Sequence, residues 1–126
     1  MSSQILLSGG DKYYSYSGEI FGDVSAPASI NMITIDNTGL RDSYVQIQPF
    51  LGKPNSDGDG DALGFEVKLD NITVFNAQGV IMDRTQLALN PIMLFVPRNS
   101  KLQINSLNTT NNNTQIRGCN VLGYYL

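Results

Sequence analysis

From Leu63 to Asp70 the chain alternates without a break. Leu63, Phe65, Val67 and Leu69 are apolar, and Gly64, Glu66, Lys68 and Asp70 stand between them. A period of two puts every second side chain on one face, so this stretch meets a core only as a half-buried β-strand. Ser43 to Leu51 repeats the pattern, with Val45, Ile47 and Leu51 on one face and Tyr44, Gln46, Gln48 and Phe50 on the other. Pro49 marks an edge or a bulge in that strand, because it has no N–H to give to a ladder. Strand signals recur at Tyr13–Ser17, Ser29–Ile35, Asn71–Phe75, Ile92–Val96, Leu102–Ile104 and Ile116–Leu126. In Ser29–Ile35 the apolar residues fall on both faces, as in a strand buried between layers.

The breaks between these segments are equally plain. Gly22 to Pro27 reads as a loop, Asp36-Asn37-Thr38-Gly39 as a turn, Gln78-Gly79 as a break, and Pro97-Arg98-Asn99-Ser100 as a reversal. Asn90-Pro91 ends a stretch, Arg84 to Leu89, that admits either a short helix or a strand. Asn108 to Thr114 is a polar Asn/Thr tract, read as an exposed loop. No helical stripe of three turns and no strand–helix alternation is present. About eight short strands with turn signals roughly every 8–12 residues specify an all-β fold, an antiparallel β-sandwich that is jelly-roll-like. Residues 1–12 read as an N-terminal arm or loosely held edge, and 13–126 as a single β-sandwich domain. The candidate core is Ile33, Ile35, Val45, Ile47, Phe65, Val67, Leu69, Val74, Leu94, Val96, Leu102, Ile104, Ile116 and Val121.

Composition narrows the chemistry. There is no His, and Cys119 is the one cysteine. Acid–base and nucleophilic catalysis near neutral pH lean on His, and no Gly-X-Ser-X-Gly elbow or phosphate-cradling loop compensates, so no enzymatic activity is expected. A single cysteine permits no intrachain disulfide, and its apolar surroundings, Gly118 to Leu122, suit a buried inert thiol. The formal net charge of −3 comes with scattered basic residues, which argues against nucleic-acid binding. No run is long enough for a membrane span, and Ile5-Leu6-Leu7 is too short for a secretory signal. Synthesis in a host cytoplasm is expected. Charged residues make up 15% of the chain, and Asn alone appears thirteen times. Polarity carried by amides rather than charges suits a surface that a partner will cover.

One segment has ligand spacing. Asn55-Ser56-Asp57-Gly58-Asp59-Gly60-Asp61 leads to Glu66 at the twelfth position of a calcium loop. Asn55, Asp57, Asp59, the Asp61 backbone and Glu66 would supply the hard oxygens Ca²⁺ requires. Asn stands at the first position where Asp is usual, and the same residues also read as a solvated Asp-Gly connection between strands. Apart from possible Ca²⁺, no cofactor is expected. The tyrosines divide between cross-strand packing and contact surfaces, with Tyr14 and Tyr124 open to either.

The stretch Asn90-Pro91-Ile92-Met93-Leu94-Phe95-Val96-Pro97-Arg98-Asn99-Ser100-Lys101-Leu102-Gln103-Ile104 resembles the strand–turn–strand unit of small jelly-roll proteins on tailed-phage particles. A hydrophobic strand ends there in a Val-Pro turn and returns through a Leu-X-Ile strand. The resemblance covers residues 29–126 in style and carries over no functional residue. It implies a structural virion component, a capsid decoration or cement protein that stabilises a phage shell. Its expected partner is the major capsid protein or another virion protein, and its expected state is a homotrimer. The alternative it leaves open is a receptor- or carbohydrate-binding module of a phage tail or fibre. That role needs a concave site with aromatics and fixed amides or carboxylates.

Overall fold

In the computed structural model, the described residues are 5–18, 20–23, 28–52, 61–81, 87–88, 91–108 and 114–126. They form β1 (Ile5–Gly9), β2 (Lys12–Tyr16), β3 (Ile20–Asp23), β4 (Ala28–Ile35), β5 (Ser43–Gly52) and β6 (Asp61–Leu69). β7 (Ile72–Ile81), β8 (Leu87–Ala88), β9 (Ile92–Val96), β10 (Leu102–Asn108) and β11 (Thr114–Tyr125) follow. Every pairing is antiparallel.

One sheet runs β1-β2-β11-β5-β8, with β3 also on β11 and β9 also on β5. β2 pairs with Asn120–Tyr124 and β3 with Thr114–Arg117, so the two share one flank of β11. β9 and β8 likewise share the far flank of β5. Taken as interrupted single strands, these pairs make a sheet of order β2/β3–β11–β5–β9/β8, with β1 added outside β2. The other sheet is four-stranded, of order β4-β10-β6-β7. This is the eight-strand jelly-roll plan expected from the alternation. Residues 5–9, within the segment read as an arm, form β1 and pair with β2.

Local chemistry explains the interruptions. Gly18 takes φ 69°, a left-handed conformation that ends β2. Across the gap the Cys119 N–H donates to Ser17 Oγ at 2.8 Å, and Ser17 N–H donates to the Cys119 carbonyl at 3.0 Å. A side chain thus continues the ladder where the backbone turns away. Pro49 lies in a central strand rather than at an edge. It falls between Ile47, the last β9 partner, and Phe50, the first β8 partner, where none of the described residues pairs with that flank of β5.

The core lies between the sheets. Met32, Ile33, Ile35, Val45, Ile47, Phe65, Val67, Val96, Leu102, Ile104, Cys119 and Val121 are buried, and Tyr13 joins them. Leu69 and Leu94 pack against this cluster at its margin. Ile116 falls where side chains lie outside the described residues. Val74 departs from expectation: it is 45% exposed. The register steps from Val67↔Phe75 to Lys68↔Thr73, so Val74 is the extra residue of a bulge and turns out of the alternation. A second bulge explains the two-faced β4. Ile104 pairs with Ile33 but Asn105 with Asn31, which leaves Met32 as the extra residue, buried beside Ile33.

Two expected breaks are strand instead. Gln78-Gly79 runs through β7 opposite Gly64 and Leu63, and Gly22-Asp23 closes β3 opposite Gln115 and Thr114. In both cases cross-strand partners outweigh the turn propensity of glycine. The β6–β7 hairpin turns at Asp70-Asn71, with φ of 51° and 68°. Two consecutive left-handed residues match the twist of the flanking strands.

Candidate functional site

The outward face of the first sheet is built in register. Asn120 of β11 pairs with Tyr16 of β2 and with Gln48 of β5, and Leu122 pairs with Tyr14 and with Gln46. Side chains two apart on a strand share a face, so these six residues tile three adjacent strands in two rows. Large residues flank smaller central ones, and the surface sinks between them. The hollow has a volume of about 210 Å³ and is lined by Tyr14, Tyr16, Gln46, Gln48, Asn120, Val121 and Leu122. The next row is Lys12, Tyr124, Tyr44 and Phe95, one residue from each of four strands.

That row merges with an exposed apolar strip. Tyr44 is 49% exposed, Phe95 47% and Met93 59%. The Tyr44 and Phe95 rings meet edge to face, with centroids 5.8 Å apart. Among the described outward side chains of β2, β5, β9 and β11, the one charge is Lys12, whose Nζ stands 5.4 Å from the Tyr124 ring centroid at the margin. Tyr14 and Tyr124 are thus surface residues rather than core. Alternation alone put Tyr44, Gln46 and Gln48 on one face. Only the pairing of β5 with β11, and of β11 with β2, sets the amides opposite the tyrosines.

Beneath this face the packing is tight. The Tyr13 ring lies over Gly123, its register partner, and a Cβ at Gly123 would collide with the ring. Tyr13 Oη and Ser43 Oγ share a buried hydrogen bond of 3.0 Å. Burial raises the Tyr13 pKa above the ordinary phenol range. Burial likewise pushes the Cys119 thiol up to about 12, which keeps it protonated and unreactive at neutral pH.

The calcium-spaced residues are placed unevenly. Asn55, Asp57 and Asp59 lie outside the described residues. Asp61 opens β6 and Glu66 sits five positions along the same strand. Extended backbone rises about 3.3 Å per residue, so roughly 16 Å separates the two, too far to share one ion. The structure therefore does not close the twelve-position loop through Glu66. Its carboxylate accepts hydrogen bonds from Asn105 Nδ2 at 3.2 Å and Thr73 Oγ1 at 2.9 Å, and Lys68 Nζ stands 4.0 Å away. Chiefly the Asn105 bond holds the Glu66 pKa below the ordinary glutamate range. The chain of bonds continues from Asn31 Nδ2 to Asn105 Oδ1 at 2.9 Å and from Thr34 Oγ1 to Asn31 Oδ1 at 2.9 Å. Glu66 thus belongs to a polar seam that crosses all four strands of the second sheet.

No family model matches the chain, and no curated protein matches its sequence. Solved structures do match its fold. A chain of the T13 viral particle of infectious bursal disease virus aligns over 99% of this chain and 31% of its own length, at 11% identity and TM-score 0.60. A chain of the Gx strain of the same virus aligns over 99% and 32%, at 9% identity and TM-score 0.57. Dimeric latent PorU from Porphyromonas gingivalis aligns over 90% of this chain and 13% of its own, at 7% identity and TM-score 0.51. The chain spans about a third of the viral chains it matches. What it shares with them is the fold, an antiparallel β-sandwich.

Proposed function

We propose that the protein is a structural component of a phage virion, a capsid decoration or cement protein that stabilises the shell by protein–protein contact. The observation that carries this reading is the uncharged strip of Tyr44, Met93 and Phe95 on a rigid sheet. Aromatic and Met side chains are enriched at interfaces and charges are depleted from their cores, as on this face. A sheet holds its side chains in place, so little order must be gained when a partner covers them. The likeness to chains of viral particles and the low charged fraction of 15% point the same way. The partner is the major capsid protein or another virion protein, and the working unit is a homotrimer.

Binding to purified shells that lack this protein tests the reading. Wild-type protein should co-sediment with the shell and raise its melting temperature. Phe95→Asp would bury a charge in the contact and should weaken binding by about 30-fold or more, the scale of a hot-spot loss. Failure of the wild-type chain to bind, or equal binding by Phe95→Asp, would remove this face from the interface.

A further inference from the structure

We propose that the hollow between Tyr14, Tyr16, Gln46, Gln48, Asn120 and Leu122 is a binding site for one neutral hexopyranose ring, the terminal residue of a glycan. The argument starts from the lining. The lining residues are two tyrosines, three carboxamides and the aliphatic Val121 and Leu122, and none is charged. A sugar ring has an apolar C–H face and a rim of hydroxyls, each of which both donates and accepts. Aromatic planes suit the first and carboxamides, which also both donate and accept, suit the second. Among the described residues, Gln46, Asn120, Tyr14 and Tyr16 make no intramolecular side-chain hydrogen bond, so their polar groups are available to a ligand. Gln48 is already oriented, its Nε2 donating to the Pro49 carbonyl at 3.1 Å.

Charge and size narrow the ligand. With no cation in the lining, a sialic acid, uronate or phosphorylated sugar would lose water from its anion and gain no counter-charge. A volume of about 210 Å³ lies below the range of drug-sized pockets, which leaves room for one ring and not for a buried oligosaccharide. All six residues stand on paired strands β2, β11 and β5, so the site is preformed rather than assembled by loops. The proposal stands whether or not the chain decorates a shell.

At the ligand efficiency of ordinary small molecules, a hexose should bind with a dissociation constant on the order of 1 mM. Saturation-transfer NMR with the whole chain reads this range. The probes are the methyl glycosides of glucose, galactose and mannose, N-acetylglucosamine, and sialic and glucuronic acid as charged counterparts. At least one neutral sugar should receive saturation and shift backbone amides of β2, β5 and β11, and the charged sugars should not. Tyr14→Ala and Asn120→Ala should each weaken binding at least about tenfold, the loss expected when one stacking or amide contact is removed. Circular dichroism identifies any variant that fails to fold, and the amide shifts of the wild-type chain then decide alone. The proposal is overturned if no neutral sugar receives saturation at tens of millimolar, if the shifted amides lie off these strands, or if both folded variants bind as the wild type does.

Discussion

At the scale of single residues, two buried groups give sharp expectations. Ser15 is fully buried, and its hydroxyl is the buried side-chain atom without a hydrogen-bond partner among the described residues. Tyr13 and Ser17, two residues to either side of it, both have partners. An unsatisfied hydroxyl carries a desolvation cost that alanine does not. Ser15→Ala should therefore raise the unfolding free energy by about 1 kcal/mol in urea titration, and a loss of that size would show that the hydroxyl is bonded. Cys119 makes a pH-dependent forecast. Its folded pKa, about 12, lies above the unfolded value. The native state keeps the proton that the unfolded state gives up, so its contribution to stability is complete below pH about 8.5 and is lost as pH rises towards the folded value. Cys119→Ala should flatten the alkaline fall in stability in part, the remainder belonging to Tyr13, whose pKa is also raised. Native Cys119 should resist thiol reagents at pH 8 and react at once on unfolding.

Within the elements, register decides which apolar residues matter. Ile104 and Val74 look alike in the alternating sequence, yet Ile104 is fully buried and Val74 is 45% exposed on a bulge. Ile104→Ala should cost about 3 kcal/mol, and Val74→Lys should stay within about 0.5 kcal/mol of wild type in the same denaturation assay. Equal losses at the two sites would mean that Val74 is covered, either by the core or by a partner. The start of β6 bears on calcium. If Asn55, Asp57, Asp59 and Asp61 bind Ca²⁺, the melting temperature should rise, and a hundredfold excess over the dissociation constant adds about 2.7 kcal/mol. Asp57→Asn should abolish the rise, while Glu66→Gln should preserve it, because β6 holds Glu66 in the seam with Asn105 and Thr73. A rise that depends on Glu66 would show that β6 unpairs to bind metal. A melting temperature that Ca²⁺ moves no more than Na⁺ does would leave the loop as a connection.

For the whole molecule, the expected state is a trimer of copies. Oligomers close on themselves by symmetry, and a charged fraction of 15% suits surface that a second copy covers. Sedimentation equilibrium at micromolar concentration should return three times the chain mass of 13.8 kDa. A monomer mass would rule out a free trimer and confine any trimer to the surface of the shell. Strand existence was legible from the chain because the pleat has a period of two: Leu63–Asp70 and Ser43–Leu51 show it directly. Most of the buried core was legible for the same reason, since inward positions on such strands must be apolar. The bulges at Met32 and Val74 were not, because each is a mismatch between two strands and neither strand shows it alone. The glycines at Gly22 and Gly79 misled for a related reason: partners in the ladder can hold glycine in a strand against its own preference. The hollow was least legible. Tyr14, Gln46 and Asn120 lie far apart in sequence, and the alternation of any one strand does not set them side by side. The sequence by itself determined an all-β sandwich poor in charge and without histidine, because periodicity and composition are local properties. Tertiary structure alone decided which outward residues stand side by side, because β11 must pair with β2 on one flank and β5 on the other before tyrosines and amides face a common hollow.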